Sequence, residues 1–185
     1  EAQPFRTDAR PQPNFDLEIR PGDEHSVHTR EFVVRGKPMT IVAVAPHMHK
    51  LGTDFRVDIV RQDGSEECLV HIPNWDFDWQ QTYTFLPDEQ VELVPGDKFK
   101  LTCTYDNSEE NQPVVNGERL TPRTVRWGDG SLDEMCLNYI SVVEPYDANT
   151  SLCQGFDECR AACEDSNSFD CIVGCAETDF DCAQC

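Results

Sequence analysis

The sequence predicts an all-β fold, an antiparallel β-sandwich of jelly-roll type over residues 15–145, followed by a small disulfide-stapled α-helical hairpin at the C-terminus. Three observations predict it. Short apolar or alternating segments recur up to residue 145 with no helical period. Turns rich in glycine and proline separate them. Seven of the ten cysteines lie between Cys153 and Cys185, where the strand pattern has stopped.

Residues 1–14 hold three prolines and mixed charges and read as an extended arm. Strand-like segments then follow at Phe15–Ile19, Glu31–Val34, Thr40–Ala45, Phe55–Arg61, Glu67–Ile72, Gln81–Phe85, Val91–Val94, Lys98–Tyr105, Thr124–Trp127 and Leu137–Val143. Phe55–Arg61 alternates apolar with polar residues, the mark of a half-exposed strand. Breakers lie between them at Pro21-Gly22, Gly36, Pro38, Pro95-Gly96 and Gly128–Gly130, and Asp63-Gly64 between two strands is a hairpin signal. Residues 106–123 are polar, contain prolines and read as the longest loop. In the tail, Cys159 with Cys163 and Cys171 with Cys175 are spaced by four, which puts each pair on one helix face. Two such antiparallel helices pair Cys163 with Cys171 and Cys159 with Cys175. Zinc ligation is the rival use of these thiols, while Cys68, Cys153, Cys182 and Cys185 have no assignable partner.

The chain has 185 residues and a net charge of −20. So acidic a surface repels nucleic acid and anionic membrane, which excludes both as expected partners. No segment approaches the roughly 20 apolar residues of a membrane span. Glu1-Ala-Gln-Pro4 has no apolar core, so no signal peptide is expected there. Ten cysteines nevertheless indicate an oxidising, extracytoplasmic compartment, whether secreted, periplasmic or at the cell surface. Asn149-Thr150-Ser151 is a glycosylation sequon.

The chemistry concentrates at His47-Met48-His49, at the end of the β-branched run Thr40–Ala45. On a strand, residues two apart share a face, so His47 and His49 present two imidazoles side by side while Met48 points away. Two neutral imidazoles on one wall supply most of a site for zinc, copper or iron. Pro46-His-Met-His-Lys-Leu-Gly52 and Asp133-Glu-Met-Cys136 together resemble the two signatures of the type II copper, ascorbate-dependent monooxygenases, the family of peptidylglycine α-hydroxylating and dopamine β-monooxygenases. Ile72–Gln80, Tyr105–Ser108 and Val125–Gly128 are similar to bacterial members. The similarity covers residues 15–145 and corresponds to the family's second, C-terminal domain.

The resemblance implies that His47, His49 and Met135 hold one copper, where dioxygen is activated for C–H hydroxylation with ascorbate or a similar reductant. Imidazole suits both copper oxidation states, and a soft thioether favours Cu(I). It also implies a Cys103–Cys136 disulfide beside Met135, and a second copper held by three histidines of a preceding domain. This chain's other histidines are His25, His28 and His71. His28 and His71 are candidates to support the site from behind the ligands. Tyr139, four residues after Met135, is a candidate to line a pocket, and Arg126 to bind a substrate carboxylate. Trp75, Phe77 and Trp79 alternate with aspartates and read as a core-packing strand or the floor of a cleft. The first functional expectation is the copper-binding half of a monooxygenase acting on a small molecule or peptide, alongside a second copper domain or partner protein and with no catalytic residues beyond the metal site. The alternative is a non-catalytic copper-binding or structural module with the same fold.

Overall fold

The computed structural model describes residues 5–145. In chain order its strands are β1 (Phe5–Pro13), β2 (Glu18–Ile19), β3 (Ser26–Val33), β4 (Met39–His47), β5 (Gly52–Val60), β6 (Glu66–Ile72), β7 (Tyr83–Thr84), β8 (Val91–Leu93), β9 (Lys98–Tyr105), β10 (Val114–Val115), β11 (Glu118–Arg119), β12 (Val125–Arg126) and β13 (Leu137–Pro145). Among the described residues there is no helix, and the architecture is all-β as the turn-punctuated pattern predicts. The expected helical hairpin, with its Cys159–Cys175 and Cys163–Cys171 pairs, lies outside the described residues.

Two antiparallel sheets carry the fold. One has the order β1-β13-β4, with β7 and β8 both on the far edge of β4, and the other the order β3-β9-β5-β6. Ile41, Val44, Ile140 and Val142 of the first sheet and Phe55, Val57, Ile59 and Leu101 of the second are fully buried in one cluster. Each such side chain contributes about 1.5–3 kcal/mol on burial, so this shared core is the main term holding the sheets together. A disulfide joins Cys103 in β9 to Cys136 just before β13, the pairing the resemblance implies, and so staples one sheet to the other. Cys68 is exposed on β6 and unpaired among the described residues.

The strand expected at Glu31–Val34 begins earlier, as β3 from Ser26, and three further segments differ in kind from the sequence reading. Phe5–Pro13 is extended but is no free arm: it pairs with β13 along its whole length, from Phe5 opposite Pro145 to Pro13 opposite Leu137. An edge strand is where a sheet tolerates prolines such as Pro11 and Pro13. Within the expected loop 106–123, β10 and β11 form a hairpin turning at Asn116 (φ 52°) and Gly117 (φ 87°), the left-handed pair that a two-residue turn requires. Trp75, Phe77 and Trp79 do not form a strand, because the chain leaves the sheet after β6 and runs through turns.

One irregularity decides which way the histidines face. Opposite β4, Ser141 pairs with Ala43 but Val142 pairs with Ile41, so Val42 is an extra residue in β4. A bulge of this kind reverses the alternation beyond it. Before it, Ile41 and Val142 point into the core; after it, Val44 and Ile140 do, and Met48 follows them with no exposure. Ala45 and His47 therefore lie on the outer face, together with their cross-strand partners Tyr139 and Leu137.

Candidate metal centre

His47 ends β4, and the chain turns through Met48, His49 and Lys50 into β5. Met48 plugs into the core and fixes the turn from below. Gly52 is required beside it, because a Cβ there would lie 2.8 Å from Met48 Cε and 3.0 Å from Trp75 Cδ1. Gly52→Ala is expected to destabilise the fold by about 1–3 kcal/mol through this overpacking, read as a lower urea midpoint with an unchanged slope.

The two imidazoles face each other edge to face, ring centroids 5.0 Å apart. His49 is 4% exposed and His47 half-buried. Nδ1 of His49 lies 2.9 Å from the carbonyl oxygen of Asp133, which can only accept, so Nδ1 carries the proton. Nδ1 of His47 lies 2.5 Å from Oε1 of Gln80, whose own amide nitrogen donates to the Phe77 carbonyl and thereby turns its oxygen toward the ring. Both rings are thus held with Nδ1–H donating and Nε2 as the free lone pair, the arrangement of metal-ligating histidines. Burial, and then the neighbouring His49 ring, lower the His47 pKa against the opposing Gln80 bond, which keeps it neutral near pH 7.

The Met135 segment is brought to this pair from the other end of the chain. Leu137 pairs with His47 at the end of the ladder, and the His49 ring and amide bond Asp133 and Glu134, so the Met135 segment lies beside the pair. The buried Tyr105 donates its hydroxyl to the Met135 carbonyl at 2.9 Å. Glu134, with no exposure, accepts the backbone N–H of His49 at 2.8 Å and of Leu51 at 2.7 Å. Burial pushes its carboxyl up to about 7, against amide donors from Leu51, His49 and Met135 that favour the ionised form. Burial, reinforced by Glu134, also raises the Tyr105 phenol well above its ordinary value, so that it stays a donor.

The aromatic residues after β6 divide their work. Trp75 packs on Phe55 and donates Nε1 to the His49 carbonyl at 3.2 Å. Phe77 meets the His49 ring edge to face, with the Lys50 ammonium 4.8 Å from its own centroid. Trp79 is 69% exposed beside Gln80. Tyr139 is 43% exposed on the His47 face of the sheet, two residues along from Leu137.

The remaining candidates sit elsewhere. His28 is on the inner side of β3, bonded to Ser26 and edge-on to the Tyr105 ring, so it reaches the site only through that phenol. His71 pairs with Asp54 at the surface of β6, across from Arg56. His28 and His71 lie on opposite edges of the four-stranded sheet and cannot share an ion. Arg126 is exposed and ion-paired with Glu18. Among the described residues no three His, Cys, Asp or Glu side chains gather at the histidine pair or elsewhere.

Gln80, Glu134 and Tyr105 were not singled out from the sequence. Gln80 carries no signal of its own. Glu134 had one, a carboxylate in a segment that must enter the core at Cys136.

The family described as copper type II ascorbate-dependent monooxygenase, C-terminal domain, matches residues 25–162. The match therefore runs past residue 145 into the cysteine-rich segment, further than the motifs placed it. Dopamine beta-hydroxylase of Canis lupus familiaris is 30% identical over 102 residues, which is 54% of this chain and 14% of that protein. No described helix is long and apolar enough to cross a membrane.

Proposed function

Because the chain belongs to the C-terminal domain family of copper type II ascorbate-dependent monooxygenases, we propose that His47, His49 and Met135 hold one copper ion and that this domain is the oxygen-activating half of such an enzyme. The observation that carries the reading is the pair of pinned rings: two imidazoles, each held through Nδ1 with Nε2 unbonded among the described residues. The donor set fits the ion, since imidazole serves both copper states and a thioether favours Cu(I). When bound, copper supplies the redox and dioxygen chemistry of C–H hydroxylation, with electrons from ascorbate or a similar reductant.

The chain's own residues supply position and shelter. Gln80 and the Asp133 carbonyl fix the ring tautomers. Trp75 and Phe77 cover the His49 side and exclude water. Tyr139 and Trp79 stand exposed at the open side, where a small-molecule or peptide substrate would approach. A second copper domain, in the same parent protein or in a partner, would deliver the other electron, and the cysteine bond fits an extracytoplasmic setting. The separation of His28 from His71 favours a second reading, a copper-binding or structural module that does not turn over alone.

Copper titration of the wild-type chain against His47→Ala and Met135→Ala tests the site, and equal affinity in all three refutes it. Oxygen consumption with ascorbate and a candidate peptide or amine then separates enzyme from module. Gln80→Ala is expected to lower copper affinity about 10–100-fold by freeing the His47 ring, with no change in thermal midpoint.

A further inference from the structure

The histidine turn and the methionine segment are far apart in sequence, and a single side chain spans them. Glu134 Oε2 accepts the N–H of His49 and Oε1 the N–H of Leu51. Its own backbone is held on both sides, its N–H donating to the Arg126 carbonyl at 3.1 Å and its carbonyl accepting from Gly128 at 3.1 Å. The residue before it accepts from the His49 ring, and the residue after it accepts from Tyr105. We propose that Glu134 is a positioning residue that locks His49 and Met135 into one rigid unit, so that ligands from two loops are set before any ion arrives. This rests on the copper reading above. Glu134 itself acts only through its neighbours, with both oxygens committed to backbone amides.

The chemistry of the contact requires a carboxylate. The amides of His49 and Leu51 each meet a different oxygen of one side chain, and only Asp or Glu offers two acceptor oxygens. A glutamine in its place keeps the shape but turns an NH2 toward one of the donors, leaving a buried N–H facing an N–H. An aspartate keeps both acceptors but falls one methylene short.

The test compares the wild-type chain with Glu134→Gln and Glu134→Asp, first without metal. Positioning predicts that the amides of His49 and Leu51 exchange at least about tenfold faster in Glu134→Gln, while those of β5 and β9 keep their rates. It also predicts that the His49 ring, read by imidazole nitrogen shifts, changes from one tautomer to a mixture. With Cu(I) added, affinity by chelator competition falls about 10–100-fold, and the sulfur contribution to the X-ray absorption spectrum is lost. Glu134→Asp gives intermediate values and serves if the glutamine variant does not fold. Wild-type exchange at His49 and Leu51, or an unchanged copper shell in either folded variant, overturns the proposal. If wild type binds no copper but Glu134→Gln still frees the two amides and the ring, the metal reading fails and the positioning of the histidine turn stands.

Discussion

Replacing His49 with alanine is expected to weaken Cu(I) binding by more than about a hundredfold, beyond what loss of an outer partner of a ligand costs. The change removes one of two imidazole donors. It also removes the ring-to-carbonyl bond that ties the turn to Asp133 and the edge contact with Phe77. The backbone N–H of His49 stays bonded to Glu134, so the turn itself persists and the fold remains measurable. Met48→Leu is the control: it alters the buried neighbour with little change of volume and leaves both rings in place. Competition with a Cu(I) chelator gives the affinities. Binding by His49→Ala equal to wild type would exclude this pair as the ligands.

Removing the Cys103–Cys136 bond has the largest expected effect on stability. The cysteines are 33 residues apart, and closing a loop of that length restricts the unfolded chain by about 3–4 kcal/mol on the chain-entropy model. A Cys103→Ala, Cys136→Ala double variant should therefore unfold at lower urea concentration by that free energy. It should also bind copper more weakly than its residual stability accounts for, because the bond anchors Cys136, the residue next to Met135. The two effects separate under conditions where the variant is fully folded. Unchanged affinity there would show that the Tyr105 and Glu134 contacts hold Met135 without the disulfide.

The strands were legible because apolar alternation and breaker residues report local conformation directly, and β9 was read with its observed ends. His47, His49 and Met135 stand out in the sequence as residue types within motifs that resemble the family's. β1 was hidden because its prolines mimic a linker, while its reason to be a strand, the open edge of β13, lies at the other end of the domain. Asn116-Gly117 does carry a hairpin signature, but two-residue strands on either side show no alternation. Gln80 and Glu134 were illegible for a related reason: each acts across the fold on a ring or amide that sequence distance conceals. The outward direction of His47 could not be read at all, since Thr40–Ala45 is continuously apolar and an unbroken run carries no parity.

That parity gives β4 something like a reading frame, with Val42 as the frameshift. Upstream of it, odd-numbered positions face the core; downstream, even-numbered ones do. The histidines are thus addressed by counting from the bulge, and the count is short. An insertion or deletion of one residue between Ala43 and Pro46 would exchange the places of His47 and Met48, burying an imidazole and presenting a thioether to solvent. Two-residue changes would preserve the frame. Length variation among sequences of this kind should therefore be absent from that stretch while the hairpin at Asn116-Gly117 accepts it, because in β4 the number of residues decides which side chains face outward.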